Sequence, residues 1–487
     1  MMQGPPPGLA HPPLSQPPPM PMQPPPPLTS PAPPAPQQQQ GQEQHAPPQS
    51  PSPVVNEERE KQRRRQELRK RAEENFGDAI EPSHVVRLED PKPLALRPAA
   101  AADAARRRQE LRVHFDLDRA DKELLALVSS LRPSEADVAE RQRLFERLSA
   151  LFAVRYPENV LHLFGSAANG FATQTFDLDL CLEQRGPDIR PRAELCEEVG
   201  AMLEAEGMRE VKAIAHARIP VVKFIEPETG IDCDVCFDNM LAVANTKLLR
   251  DYSFLDARLA QLVIVVKHWA KQRNCCSAYE GTLSSYAYVL ACIYVMQTRR
   301  VRALPVLQQM QPTFRRTIDK WRCDYHDDVQ ALRKRHAQAG PHNTESISEL
   351  LFAFFAYWQE RHDWNSAVVS PRVGTMLTKS AKGWTRRVGT ERHLICIEDP
   401  FNTQHDLGRV VDRNTLPFLK RELRRAYNIL QSERDPLPVL FERNRHHPER
   451  EHREYKGKAR SDSQDRQAPP PLLGEAQPTG EGDWPTL

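Results

Sequence analysis

Apolar positions along the chain change their period several times, and each change predicts an element. Leu124, Leu125, Leu127, Val128 and Leu131 recur at helical spacing and stop at Pro133. Leu144, Phe145, Leu148, Leu151 and Phe152 mark a second helix that ends before Pro157. Between 160 and 237 the pattern turns to short segments of period two, the spacing of half-buried strands. In one of them Phe176, Leu178, Leu180 and Leu182 share a face, and Asp177, Asp179 and Glu183 share the other. In another, Ile231, Cys233, Val235 and Phe237 point inward while Asp232 and Asp234 point away. From Asn245 to about Leu430 the period becomes helical again, with Leu262, Val263, Val266 and Trp269 marking a buried helix. Strands clustered before a long helical run predict an α+β architecture.

The flanks read differently. Of the 45 prolines, 21 precede Val55, among Gln and Ser with little charge and few large aliphatics. Such a segment buries too little apolar surface to offset its chain entropy, so 1–56 is expected to be disordered, with polyproline II runs suited to protein partners. The stretch 57–112 is strongly charged, carries RRRQEL at Arg63 and again at Arg106, and is expected to be a helical or disordered linker. Beyond 430 the chain turns polar, which predicts a flexible tail over 431–487. No apolar run approaches a membrane span, and no oligomerisation signal stands out. The nine cysteines are scattered and read as free thiols. Cys233 and Cys236 fall on opposite strand faces with no second pair to complete a zinc site. A formal net charge of +2 says little about a polyanionic partner, so local residues must make that case.

The carboxylates carry the chemistry. Two aspartates two residues apart on one strand face lie about 6–7 Å apart at the backbone, close enough for their side chains to converge on shared hard cations. If the two aspartate-bearing strands pair, three or four carboxylates gather on one face, and bound cations would remove their repulsion. Upstream, Gly165-Ser166 sits at a strand-to-loop turn. There a glycine lets backbone approach a phosphate, and N–H groups with the serine hydroxyl act as donors. A phosphate cradle beside clustered carboxylates is the equipment of two-metal phosphoryl transfer.

These stretches carry a family resemblance. LFGSAANGFATQTFDLDLCLE, IPVVKF, GIDCDVCFDNMLAVANTKLL, VKHWAKQRN, GTLSSYAYVL, NTESISELL and EDPFNTQHDLGR follow one another in the order of the terminal uridylyltransferases and related RNA-tailing poly(A) polymerases. Both belong to the polymerase-β-type nucleotidyltransferases. The resemblance implies a palm of mixed β-sheet with flanking helices over 145–240, helices packed on it over 113–144, and a mostly helical PAP-associated domain over 241–430. It implies two Mg²⁺ or Mn²⁺ ions on Asp177, Asp179 and Asp234, with Asp232 a bystander. It also implies nucleotide contacts from Gly165 and Ser166, from Asn245 and Thr246 at the ribose, and from Lys267, Lys271 and Ser285 at the triphosphate. Tyr286 would stack on the base.

In the same light Asp399 and His405 would discriminate the base, an imidazole crowding a purine while bonding a uracil edge. Asn402 departs from the acidic residue usual at its position. The expected activity is therefore uridylate addition from UTP to an RNA 3′ end. Adenylate addition from ATP is the alternative, and an inactive RNA-binding scaffold the remote one. Cytoplasm is the default compartment, with the nucleus left open by the basic cluster over 61–71.

Overall fold

A computed structural model describes residues 85–86, 106, 111, 113–338, 343–386 and 392–445. They all lie in one compact unit that begins at Leu68. The Pro-rich segment, the two RRRQEL copies as units, the basic cluster over 61–71 and the end of the chain fall outside the described residues.

The two N-terminal helices form where the apolar spacing places them, and polar caps fix their starts. Helix α1 (Leu117–Leu131) begins at Asp116, whose carboxylate accepts from the amides of Asp118 and Arg119. Helix α2 (Glu135–Arg155) begins with a reciprocal capping box between Ser134 and Asp137. The palm follows as strands β1 (Val160–Phe164) and β2 (Leu178–Glu183), helix α3 (Arg192–Ala205), then β3 (Arg209–Ile214), β4 (Val221–Ile225) and β5 (Asp232–Phe237). Their order in the sheet is β1-β2-β5-β4-β3; β2 and β5 are parallel and the other neighbours antiparallel, so the sheet is mixed.

Period two separates two hydrophobic clusters across this sheet. Leu178, Leu180, Leu182, Cys233, Val235 and Phe237 pack with α2 and α3, notably Leu148, Phe152, Leu195 and Val199. Cys181 and Cys236 face the opposite cluster, shared with the helical half. All nine cysteines are free. The strands start at Leu178 and Asp232, slightly inside the alternating runs, so Asp177 stands just ahead of β2.

The helical half is built on α4 (Met240–Leu255), α5 (Ala257–Gln272), α6 (Ser285–Gln297), α7 (Ile347–Ala356) and α8 (Thr415–Ser432). Trp269 of α5 is fully buried, edge-on to Phe355 at 4.8 Å and to Tyr288 at 6.3 Å. Helix α1 packs on α5 and α7, and Asp121 accepts the Ser348 amide at 2.8 Å.

Two flanks depart from the expected division. Val85 and Val86, inside the expected linker, are buried against the core; the Val86 amide donates to the Ala167 carbonyl at 2.8 Å, and that of Val85 to Gln142 at 2.8 Å. Helix α9 (Pro436–Leu440), inside the expected tail, buries Leu437 and Leu440. In both cases a few apolar residues in a polar stretch are enough to dock it, which overall composition hides. No helix among the described residues is long and apolar enough to cross a membrane.

At the end of α5 the buried Arg273 donates Nε to Glu422 of α8 at 2.8 Å and a guanidinium N–H to the Glu442 carbonyl at 2.6 Å. Removing one partner strands the other charge in the core. Arg273→Ala is expected to cost about 3–5 kcal/mol in denaturant unfolding, whereas Arg273→Met with Glu422→Leu should recover most of that loss. Equal losses for single and double variants would contradict this account.

Candidate active site

The parallel register of β2 and β5 sets Asp179 directly opposite Asp234, on the sheet face away from α2 and α3. Asp177 joins them from just ahead of β2, and Asp232 is exposed at the start of β5. Strand β4 places Lys223 opposite Asp234 on the other side, and its ammonium binds Asp234 Oδ2. Burial, then Asp234 and Asp177, push the Asp179 carboxyl up to about 8. Asp177 is raised too, by desolvation in the crowded cluster, then by Asp234 and Asp232.

The turn after β1 leans on this cluster. Gly165 has φ +70°, and a Cβ built there would lie 2.0 Å from Asp179 Oδ2, so only glycine fits without displacing the aspartate. Its amide donates to Thr246 Oγ1 at 3.1 Å, and the Thr246 hydroxyl donates to the Ala242 carbonyl of α4 at 2.8 Å. Thr246 therefore ties the turn to the helical half. Ser166 opens a single helical turn, Ser166–Asn169.

The lysines come in from α5. Lys267 is buried and donates to the Phe171 carbonyl at 2.9 Å; burial, then Lys271, bring its ammonium down to about 8. Lys271, one turn on, is exposed and, with Lys223, opposes the rise of the Asp177 carboxyl. Ser285 begins α6, and its hydroxyl lies 3.3 Å from Cys276 Sγ.

Two predicted residues, distant in sequence, meet at a third, Asp399. Its Oδ2 accepts from the Tyr286 hydroxyl at 3.0 Å and from Asn245 Nδ2 at 3.2 Å, while Oδ1 accepts the amides of Phe401 and Asn402. Burial raises this carboxyl to about 6 against those bonds. Asn245 Oδ1 is buried with no protein partner, an acceptor that a ribose hydroxyl would satisfy. The Asp399 amide donates to the His405 carbonyl at 3.1 Å, closing the loop between them. His405 is 8% exposed; burial, then Arg409 and Arg218, bring its imidazole down to about 3, so it is neutral at physiological pH.

The supports of this loop were not predicted. Glu398, fully buried, accepts from Ser370, Arg372 and Lys382, and Lys382 also donates to the Thr403 carbonyl. Asp406 Oδ2 pairs with His393 Nδ1 at 2.9 Å, and its Oδ1 takes the amides of Ile397 and Gly408. His393, Cys396 and Asp406 have the donor types of a metal site, and here Asp406 serves as acceptor for His393 and for two backbone amides. Neither cluster has a regular spacing, so no periodicity could reveal them. Lys223 was legible in principle, since its place on the hairpin opposite Asp234 follows from pairing β4 with β5.

Comparison with known proteins agrees with this geometry. The model of the central palm domain of mitochondrial-like poly(A) RNA polymerases matches residues 121–254, and that of Cid1 family poly A polymerases matches 346–405. The poly(A) RNA polymerase cid11 of Schizosaccharomyces pombe is 30% identical over 62% of this chain, which spans 61% of that protein's length. Human terminal uridylyltransferase 4 is 32% identical over 62% of this chain, which spans 19% of its length. The S. pombe terminal uridylyltransferase Cid1 is 31% identical, with 64% of this chain matching 80% of Cid1. A crystal structure of the Cid1 poly(U) polymerase superposes on 68% of this chain and all of its own, at 30% identity and a TM-score of 0.61. Palm, helical half and carboxylate-bearing strands thus fall into one lineage, and the chain belongs to the Cid1 family of poly(A) RNA polymerases and terminal uridylyltransferases.

Proposed function

We propose that the chain is a template-independent RNA 3′-terminal nucleotidyltransferase that adds uridylates from UTP. The observation that carries the reading is the register of Asp179 against Asp234, with Asp177 beside them and Lys267 and Lys271 across from them. Binding alone has no need of repelling carboxylates held this close. The residues fit hard divalent cations: Asp179 and Asp234 stand in register with Asp177 just ahead of them, and the like charge that pushes the Asp179 carboxyl up is charge that a cation would balance. Asp177, Asp179 and Asp234 would hold Mg²⁺ or Mn²⁺, which supplies charge stabilisation at the attacking and leaving oxygens of phosphoryl transfer.

The chain's own groups do the rest. Lys267 and Lys271 offset the triphosphate charge, with the Ser166 and Ser285 hydroxyls as donors. Asn245 turns its unpartnered carbonyl toward a ribose hydroxyl, which suits ribonucleotides. Tyr286, fixed through its hydroxyl by Asp399, offers a ring to the base. His405, neutral and closed in by the 399–405 loop, leaves less room for a purine than for uracil. Structures of Cid1 with a UTP analogue and with its short product ApU show that fold holding such ligands. Adenylate addition fits the same machinery and is the second reading, favoured by Asn402, which puts an amide where a carboxylate is usual.

Extension of a labelled RNA primer with Mg²⁺ or Mn²⁺ and each NTP in turn tests both readings. Wild type should extend with UTP ahead of ATP, and Asp179→Ala should fall to the no-enzyme baseline. With its like-charge neighbours relieved, that variant should also melt no lower than wild type without added metal. Undiminished extension by Asp179→Ala would remove the enzyme reading, and ATP preference in wild type would select the adenylate one.

The base-choice prediction has a pH signature. A histidine with a folded value near 3 carries no proton in the working range. No step in the UTP-to-ATP ratio between about pH 6 and pH 8.5 should therefore depend on His405, while Asp399, pushed up to about 6, titrates at the lower edge of that range. His405→Asn should shift the ratio toward ATP, and a wild-type step near pH 6.5 that vanishes in His405→Asn would contradict a neutral imidazole.

A further inference from the structure

Behind the 399–405 loop is a cavity of about 480 Å³ that the nucleotide site does not use. Pro400, Phe401 and Thr403 line it from the loop, while the Asp399 carboxylate goes instead to Tyr286 and Asn245. Two residues of chain span about 7 Å at most, so the cavity lies a single loop's thickness from the nucleotide site. The hairpin of β6 (Thr317–Ile318) and β7 (Trp321–Arg322) contributes Trp321 and Arg322 to the lining.

The lining includes an aromatic ring, side-chain amides and the Arg322–Asp324 pair, with Lys320 next to it in the chain. Trp321 is half-buried and presents a flat indole, with the Lys320 ammonium 5.0 Å from its ring centre. The Arg322 side chain is 76% exposed, held by Asp324 yet open to a further anion. Gln308 donates Nε2 to the Pro400 carbonyl at 2.8 Å, but its Oε1 is buried with no hydrogen-bond partner. An indole to stack on and cations for a phosphate together form the set that recognises an unpaired nucleotide. The volume suits one small ligand and not a duplex.

We propose that this cavity binds an unpaired nucleotide of the RNA strand being extended, its base stacked on Trp321 and its phosphate beside Lys320 and Arg322. The inference rests on the nucleotidyltransferase reading and adds a second grip on the substrate. Its place beside the 399–405 loop lets the strand brace that loop, because Gln308 holds Pro400 and Gln309 holds the carbonyl of Arg372, the residue that binds Glu398.

The test is equilibrium binding of a labelled oligouridylate about 15 nucleotides long to the full chain at fixed salt, with no NTP. Trp321→Ala should weaken binding about tenfold and Trp321→Phe should retain most of it, since base stacking on an aromatic ring carries that much. The KM for UTP at saturating primer should stay within about twofold of wild type in both variants, because Trp321 does not line the nucleotide site. Thermal melting separates folding from binding, and Trp321→Leu, which keeps apolar bulk without an aromatic face and should also weaken binding about tenfold, keeps the question answerable if alanine unfolds the hairpin. Unchanged RNA affinity in a folded Trp321→Ala or Trp321→Leu variant overturns the cavity while leaving the nucleotidyltransferase reading intact. So does a UTP KM that rises in step with the RNA Kd. A wild-type chain that neither binds nor extends RNA overturns both.

Discussion

Asp179 and Asp234 face each other across two parallel strands, and that like-charge contact sets the terms for the palm. Two carboxylates in register repel, and the rise of Asp179 to about 8 records how far burial and its neighbours oppose ionisation. A strand pair with that contact on one face needs another reason to stay paired. It is supplied by the opposite face, where Leu178, Leu180, Val235 and Phe237 are fully buried against α2 and α3. The period-two pattern therefore does more than bury apolar surface, because the buried half of each strand holds the charged half in an arrangement it would not adopt alone. Gly165 extends the same constraint into the neighbouring turn, since any side chain there would displace the Asp179 carboxylate.

Asp399 plays the corresponding part between distant segments of the chain. It lies 154 residues from Asn245 and 113 from Tyr286, and accepts from both with a single oxygen. A buried carboxylate with four donors is well satisfied, so it fixes the Tyr286 ring and the Asn245 amide in place at modest cost. What remains unsatisfied nearby is Asn245 Oδ1, and an orphan acceptor at the centre of an otherwise complete network points to a ligand.

Much of this was legible in the sequence because it follows from periodicity. Alternation in FDLDLCLE and GIDCDVCF placed the aspartates on one sheet face, and the helical runs gave α1, α2 and α5. The meeting of Asn245, Tyr286 and Asp399 was not legible from spacing, since three separate stretches converge only after the helical half folds; the family resemblance singled those residues out but gave no contact between them. Thr246 was read as a ribose contact, and its hydroxyl is seen bonded to the Gly165 amide and the Ala242 carbonyl, a tie that depends on how α4 abuts the palm. Val85, Val86, Leu437 and Leu440 were hidden for another reason. A short apolar pair in a polar stretch has no period to detect, yet a few buried side chains are enough to dock it.

The loop from 399 to 405 shows where precision comes from when the backbone has no regular structure. Its carbonyls at Pro400 and Thr403 are held by Gln308 and Lys382, and the acid just before it, Glu398, is gripped by Ser370, Arg372 and Lys382. On its far side Asp406, next to His405, takes two backbone amides and His393. Each of these buried polar groups would be costly if left unpaired, so the loop has one low-energy conformation and departures from it break several bonds together. A histidine on a mobile loop could not exclude a purine, because a small shift would make room for it. On the proposed reading, discrimination by His405 would therefore depend on the residues that hold this loop, and their irregular spacing hid them from a reading by period.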